Sequence, residues 1–470
     1  MTGTDPRGLS GSVPIPHSPA EATTIWRRPY LLTTVGAVAL IFLAALQSLA
    51  VTTVMPVVAA DLDGQALYAV AFSGTFATSV IGMVAAGAWS DRTGPTGPLY
   101  TAAAFFVAGL AVDALAVDMP MLVAGRLVMG LGSGGQVVAL YVVVARVFPA
   151  HLQGRVMAAF SAAWIVPSLV GPVLAGAVAE HLHWRWVFAG VAFLTLVAFA
   201  MIAPRLRGLG RSSREPRVGG VGRRLILAVV VAAAALGLSL AGELDGALGW
   251  IVAVGALVVV AAAILPLLPV RTLRLGRGLP SVVAMRGLVA GALFGAEIYV
   301  PYLLIARFGF SPTLAGAGLT LAALTWAVSA DVSGRLGDRI GNRRIALTGA
   351  SLLSVALVAC LLTAALGLPA WVPIVFWGFA GLGMGIVYPR LTVLTIAYSS
   401  ARDQGFNSSA LQISDSIGAS AAMAVMGLAF TALEGSDARF AVVFGIGLLL
   451  ALLAIVPGLR LGHARETESR

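Results

Sequence analysis

The sequence predicts an all-α polytopic membrane protein: two six-helix bundles plus an inserted two-helix hairpin, fourteen transmembrane helices in total. Three observations carry this expectation. Of the 470 residues 59% are hydrophobic and only 11% charged, against about 25% charged in an ordinary soluble domain. Apolar runs of about 20 residues recur along the chain and match a hydrocarbon layer of about 30 Å. Lipid leaves backbone polar groups no partner outside their own segment, so these runs are helices. The period-two alternation of an outer-membrane barrel is absent. The third observation is a repeat. Asp91 and Asp338 lie 247 positions apart, and "GLGSG" (130–134) and "GLGMG" (381–385) lie 251 apart, as do the two "QG" pairs at 153–154 and 404–405. Two repeated halves suggest a transporter with a site at mid-membrane between them.

In chain order, residues 1–29 are polar, rich in Ser, Pro and Thr, and read as a disordered cytoplasmic tail. They hold no short apolar stretch with a small-residue cleavage site, so no signal peptide is expected. Residues 30–203 form the N-terminal bundle, with spans near 31–57, 66–90, 98–117, 120–145, 155–179 and 184–203. Residues 204–281 are a basic linker and the inserted hairpin, 224–242 and 248–268. Residues 282–460 form the C-terminal bundle, with spans near 284–306, 312–333, 345–367, 370–396, 405–430 and 438–459. Residues 461–470 are a second cytoplasmic tail.

Charge orients the chain. All thirty basic residues are Arg. With both termini inside, the outer loops hold only Arg185, Arg307 and Arg439, together with Asp61, Asp63, Asp118, Glu180, Glu243, Asp245, Glu434 and Asp437. An Arg excess marks the cytoplasmic face. The net charge of +10 is therefore a topology signal for the inner (plasma) membrane, not a nucleic-acid footprint. The linker "RLRGLGRSSREPRVGGVGRR" (205–224) serves inside retention, with docking to anionic lipid head groups as the alternative. One cysteine, Cys360, permits no disulfide framework.

The segments "GAWSDRTG" (87–94) and "GRLGDRIG" (334–341) resemble the loop signature of the major facilitator superfamily. "LVAGRLVMGLGSGG" (122–135) resembles its fourth-helix motif, "GPVLAG" (171–176) its fifth-helix antiporter motif, and "HWRWVF" (183–188) the start of its sixth helix. Fourteen spans with a central hairpin resemble the drug:proton antiporter branch. The resemblance implies a cytoplasmic gate at Gly87, Asp91, Arg92, Gly94, Gly334, Asp338, Arg339 and Gly341, closing as the halves rock, and a helix-five motif at Gly171, Pro172 and Gly176. The residues themselves allow a plain reading beside this one, a tight turn between helices whose Asp caps a neighbouring helix start. Some positions depart from the family pattern. Gln47 stands where the branch has an Asp in its first helix, Pro167 where it has a Gly, and Pro95 and Thr96 where it has basic residues.

A charge at mid-bilayer costs several kcal/mol on most scales, about 2.5–3.5 on the mildest, so an acid there faces a cavity or a partner. Glu297, in "AGALFGAEIYVPYLL" (290–304), and Asp415, in "SALQISDSIGAS" (409–420), are the candidate proton carriers. The repeat sets Asp415 opposite Trp164. Arg126 is a candidate fixed positive charge, or a structural partner of Glu297. Asp113 is expected near the outer end of its span, in contact with water. Gln47, Gln136, Tyr141, Trp164, Tyr299 and Gln412 are candidate cavity residues. Other signals are weak: "GLGSGG" lies inside an apolar helix rather than after a strand, "HLH" (181–183) is a poor metal site, and Asp61/Asp63 only loosely suggest a metal-dependent lipid transferase. No cofactor or metal is expected.

These observations favour a monomeric secondary transporter, not an enzyme, exporting amphipathic or lipophilic compounds, drug-like or lipid, in exchange for protons by alternating access. A facilitative or otherwise non-proton-coupled transporter is the first alternative, given Gln47. A membrane-embedded lipid-modifying enzyme is a more distant one.

Overall fold

The computed structural model describes residues 24–27, 30–206, 221–241, 244, 246–399, 404–436 and 438–461. The expected tails and the core of the basic linker fall largely outside these. Regular structure among the described residues is helical throughout. The first half consists of α1 (Leu31–Asp61), α2 (Tyr68–Thr93), α3 (Thr96–Leu115), α4 (Met119–Val147), α5 (Ala150–His181) and α6 (Arg185–Leu206). Next come α7 (Val221–Leu240) and α8 (Gly246–Ile264). The second half consists of α9 (Leu279–Glu297), α10 (Tyr299–Phe308), α11 (Pro312–Ile340), α12 (Asn342–Leu366), α13 (Trp371–Ala397), α14 (Gln404–Ala432) and α15 (Arg439–Leu459).

Eleven described segments are long and apolar enough to cross a membrane, and twelve if the bent pair Arg155–Ser168 and Val170–His181 is one span. The apolar stretches of the inserted pair, Leu225–Leu240 and Ile251–Leu267, are shorter. Of the fourteen expected spans, eleven or twelve are thus found as full-length helices among the described residues, and the inserted pair falls short of that length. The expected span 284–306 is a 30-residue run, Leu279–Phe308, interrupted at Ile298 between α9 and α10. Pro301 accounts for the interruption. It has no N–H for the carbonyl four residues back, that of Glu297, and its ring crowds that carbonyl.

The repeat is visible in the packing. α4 packs on α2 and α3, and α13 packs on α11 and α12; α1 packs on α5 and α6, and α9 on α14 and α15; α3 meets α6 as α12 meets α15. Hydrophobic burial contributes little between helices in lipid, so close approach of small residues takes its place. A Cβ on Gly130 or Gly134 would meet the Thr75 or Ser79 carbonyl of α2, and one on Gly132 would meet Phe106 of α3. In the second half Gly381 and Gly385 abut α11 at Ala322 and Trp326, while Gly383 abuts α12 at Gly349. The "GLGSG" and "GLGMG" runs are therefore helix-packing seams. Large apolar side chains such as Phe193, Ile251, Val328 and Leu449 are exposed on the outer surfaces, as contact with lipid requires.

The halves meet along two seams related by the same repeat, α5 on α11 and α2 on α14. α7 packs against both helices of the second seam. There the Ser73 and Ser239 hydroxyls are 2.7 Å apart, and Ser420 donates to the Ser73 carbonyl at 2.8 Å. At the first seam, a Cβ on Gly176 would sit 2.7 Å from the Pro312 carbonyl, and one on Gly316 2.5 Å from that of Pro172. The helix-five run thus forms part of the contact between halves, with Gly171 turned instead toward Leu46 of α1.

Candidate substrate and proton site

Three positions on α9, α13 and α14 converge in the second half. Arg286 of α9 donates from Nε to Asp415 Oδ1 of α14 at 2.6 Å and from Nη1 to the Tyr388 carbonyl of α13 at 3.3 Å. Its guanidinium lies 3.5 Å from the Tyr388 ring centroid, a cation–π geometry. The Tyr388 hydroxyl lies beside Asp415 without completing a well-directed hydrogen bond. Glu297, half-buried at the end of α9, lies within electrostatic reach of Tyr388. From the other half, Tyr141 of α4 faces Arg286 within electrostatic reach while 46% of its surface stays open. A side chain of the first half thus lies within electrostatic reach of the charged cluster of the second. The Arg286 and Asp415 side chains keep 9% and 16% of their surface accessible.

The other predicted residues spread over several environments. Trp164, on α5, is 47% exposed, and Gln412 is half-buried. Tyr299 is buried in an aromatic layer with Tyr68 and Phe430, away from open space. Gln47 is buried with neither amide atom hydrogen-bonded; Gln136 is buried and donates to the Leu40 carbonyl at 3.1 Å. Arg126 does not pair with Glu297. It donates to the Ala71 carbonyl at 3.2 Å and interacts with Asp113 of α3. Asp113 is fully buried with both carboxylate oxygens lacking hydrogen bonds, so the expectation of a wet outer position is corrected. Gly125 makes this possible: its missing side chain leaves the room that Asp113 occupies, 2.3 Å from where a Cβ would be. Asp61 is tied to Trp184 Nε1 at 2.8 Å and to Arg185 at 3.8 Å, a helix-end junction. No three potential metal ligands cluster among the described residues.

The gate residues also differ from the expected loop. α2 and α11 run through the signature, so Asp91 and Arg92 sit on a last helical turn and only Gly94 and Pro95 separate α2 from α3. Gly94 and Gly341 share a positive φ, 94° and 89°, which side-chain-bearing residues rarely adopt. Asp91 and Arg92 are exposed and make no hydrogen bond or ion pair among the described residues. Arg92 instead borders an open cavity of about 380 Å³ with Trp89 and with Leu225 of α7. Gly87 lies in ordinary contact with Val138 of α4. Arg339 is exposed, and the surroundings of Gly334 and Asp338 lie outside the described residues.

At the arginine-poor end the halves are joined. Tyr68 donates to the Ile298 carbonyl, Tyr302 to Gln65 Oε1 and Thr313 to Glu180 Oε2, each at 2.6 Å.

Arg286, Tyr388 and the burial of Asp113 escaped the sequence reading. Arg286 falls close to the start of its span, where an Arg ordinarily belongs to the interface. What separates it is the apolar sequence on both sides, "VVAMRGLVAG".

Two repeated helical halves, with a charged cluster buried among their apolar helices, define a membrane transporter rather than an enzyme. The sequence profile of the Major Facilitator Superfamily matches residues 37–296 and again 282–470, and the chain belongs to that superfamily. It is 26% identical over 421 residues to the multidrug transporter protein MdtP of Bacillus subtilis (strain 168), covering 87% of this chain and 76% of that one. It is 23% identical over 410 residues to the multidrug efflux pump SdrM of Staphylococcus aureus (strain N315), covering 86% and 91%. A crystal structure of a POT family transporter in complex with 5-aminolevulinic acid shares the fold, with a TM-score of 0.67 at 15% identity over 90% of this chain and 95% of that one.

Proposed function

We propose that the protein exports amphipathic or lipophilic compounds from the cytoplasm or inner leaflet in exchange for protons, with both termini cytoplasmic and all fourteen helices in the inner membrane. The observation that carries this reading is the unequal pair of acids in the second half. Asp415 is already held by Arg286, whereas Glu297 has no ion pair among the described residues and sits at the helix interruption. Glu297 is the proton carrier, and Asp415 with Arg286 is a charged latch that a solute loosens. Tyr141 and Trp164 offer aromatic faces to a lipophilic or cationic substrate. Arginine excess at one end supports the orientation, and two multidrug relatives support the substrate class. Joined arginine-poor ends, beside an Asp91 and Arg92 that are unengaged among the described residues, fit an inward-facing stage of alternating access, and the protein works as a monomer.

Gln47 and the mutual Asp113–Arg126 interaction favour a second reading, facilitative transport without protons, since the first half then presents no acid to the site. Reconstituted liposomes separate the two. A panel of hydrophobic cations and lipids is offered with and without an imposed pH gradient, and with an ionophore that collapses it. Uphill movement only with the gradient supports exchange; movement that ignores it supports the facilitative reading.

A further inference from the structure

Glu297 and the seal at the arginine-poor end are one residue apart in sequence. Pro301 breaks the helix after Glu297, and the next residue, Ile298, gives its carbonyl to Tyr68 of the other half at 2.6 Å. Both Ile298 and Tyr68 are 1% exposed. The Tyr68 ring packs against Phe72 of its own helix and against Tyr299 and Tyr302 of α10, with centroids 5.4, 5.8 and 5.1 Å away, so its hydroxyl bond sits in an aromatic layer shared by the two halves. An O–H···O bond weakens steeply once geometry departs from about 2.5–3.0 Å, and a small change of backbone at residue 298 suffices to open it.

We propose that Tyr68 is a positioning residue for Glu297: its hydroxyl, bound to the Ile298 carbonyl, makes closure of the arginine-poor seam depend on the state of the Glu297 carboxyl group. When Glu297 changes its charge or its partner, the interrupted helix adjusts at 297–298, the acceptor moves, and the hydrogen bond between halves is lost or made. The Tyr302–Gln65 bond also joins the halves, but its acceptor is a side chain in a loop and carries no such message. The inference rests on Glu297 being the coupling acid.

The test is a double-mutant cycle read as a distance distribution. Spin labels at Asp63→Cys and Glu434→Cys, one loop in each half and both exposed, report opening in a Cys360→Ala background. Tyr68→Phe keeps the ring and removes only the hydroxyl, and is expected to shift the joined-to-separated ratio about three- to tenfold, the worth of a typical hydrogen bond. Glu297→Gln shifts the ratio on its own, and adds nothing once Tyr68 is Phe. Tyr302→Phe also shifts it, yet its effect adds to that of Glu297→Gln. No shift from Tyr68→Phe, no shift from Glu297→Gln, or full additivity of the two overturns the proposal. Transport by the wild type that ignores a pH gradient, with non-additivity intact, overturns the proton reading instead and leaves the coupling standing.

Discussion

At the residue scale, the site turns on the charge of Arg286. With Asp415 at 2.6 Å its guanidinium is compensated; without Asp415 a cation is left partly buried among apolar helices. Breaking a buried pair from one side costs about 3–5 kcal/mol, and replacing both partners by apolar groups is often neutral. Partial exposure lowers the figure here. Asp415→Leu and Arg286→Met are each expected to lower the melting temperature in detergent, and the double variant to recover most of the loss. A loss in the double variant equal to the sum of the two single losses would mean that the pair contributes nothing. Glu297 and Asp415 were legible in the sequence as lone acids within apolar runs. Their different partners were not, because partner choice depends on which helix faces turn toward one another. Asp113 illustrates the same limit: the carboxylate was visible, while the space left by Gly125 that accommodates it exists only in the packed structure.

At the scale of elements, α4 and α13 are held by glycines at matching positions. A Cβ on Gly134 would lie 2.0 Å from the Ser79 carbonyl oxygen, and one on Gly385 2.3 Å from that of Trp326. Backbone cannot yield as a side-chain tip does, so Gly134→Ala and Gly385→Ala are each expected to destabilise by about 1–3 kcal/mol. Gly190, in α6, has nothing within 4 Å of a Cβ, and Gly190→Ala is expected to be neutral or to gain up to about 1 kcal/mol of helix propensity. Thermal melts of the three variants in one detergent check this. The repeat spacing announced two corresponding halves; which helices these glycines pack against was not legible from it. The docking of α7 on one seam alone was not announced, since it depends on Ser73, Ser239 and the small residues Ala77, Ala232 and Ala235, none of which stands out in sequence.

At the scale of the whole molecule, the halves are joined at the arginine-poor end, while at the other end Asp91 and Arg92 of α2 make no hydrogen bond or ion pair among the described residues. Rocking would reverse this. A disulfide formed between Glu180→Cys and Thr313→Cys, whose native side chains touch at 2.6 Å, is expected to hold that end shut and stop transport until a reductant is added. Unimpaired transport by the cross-linked protein would mean that this seam does not open. The central claim is that Glu297 trades a proton for substrate on each cycle, and it is tested most directly by a pH-sensitive dye trapped in liposomes during substrate movement. Wild type is expected to move protons opposite to a lipophilic substrate, and Glu297→Gln to move substrate without them. Substrate transport with no pH change in wild type, or an undiminished pH change in Glu297→Gln, would contradict it.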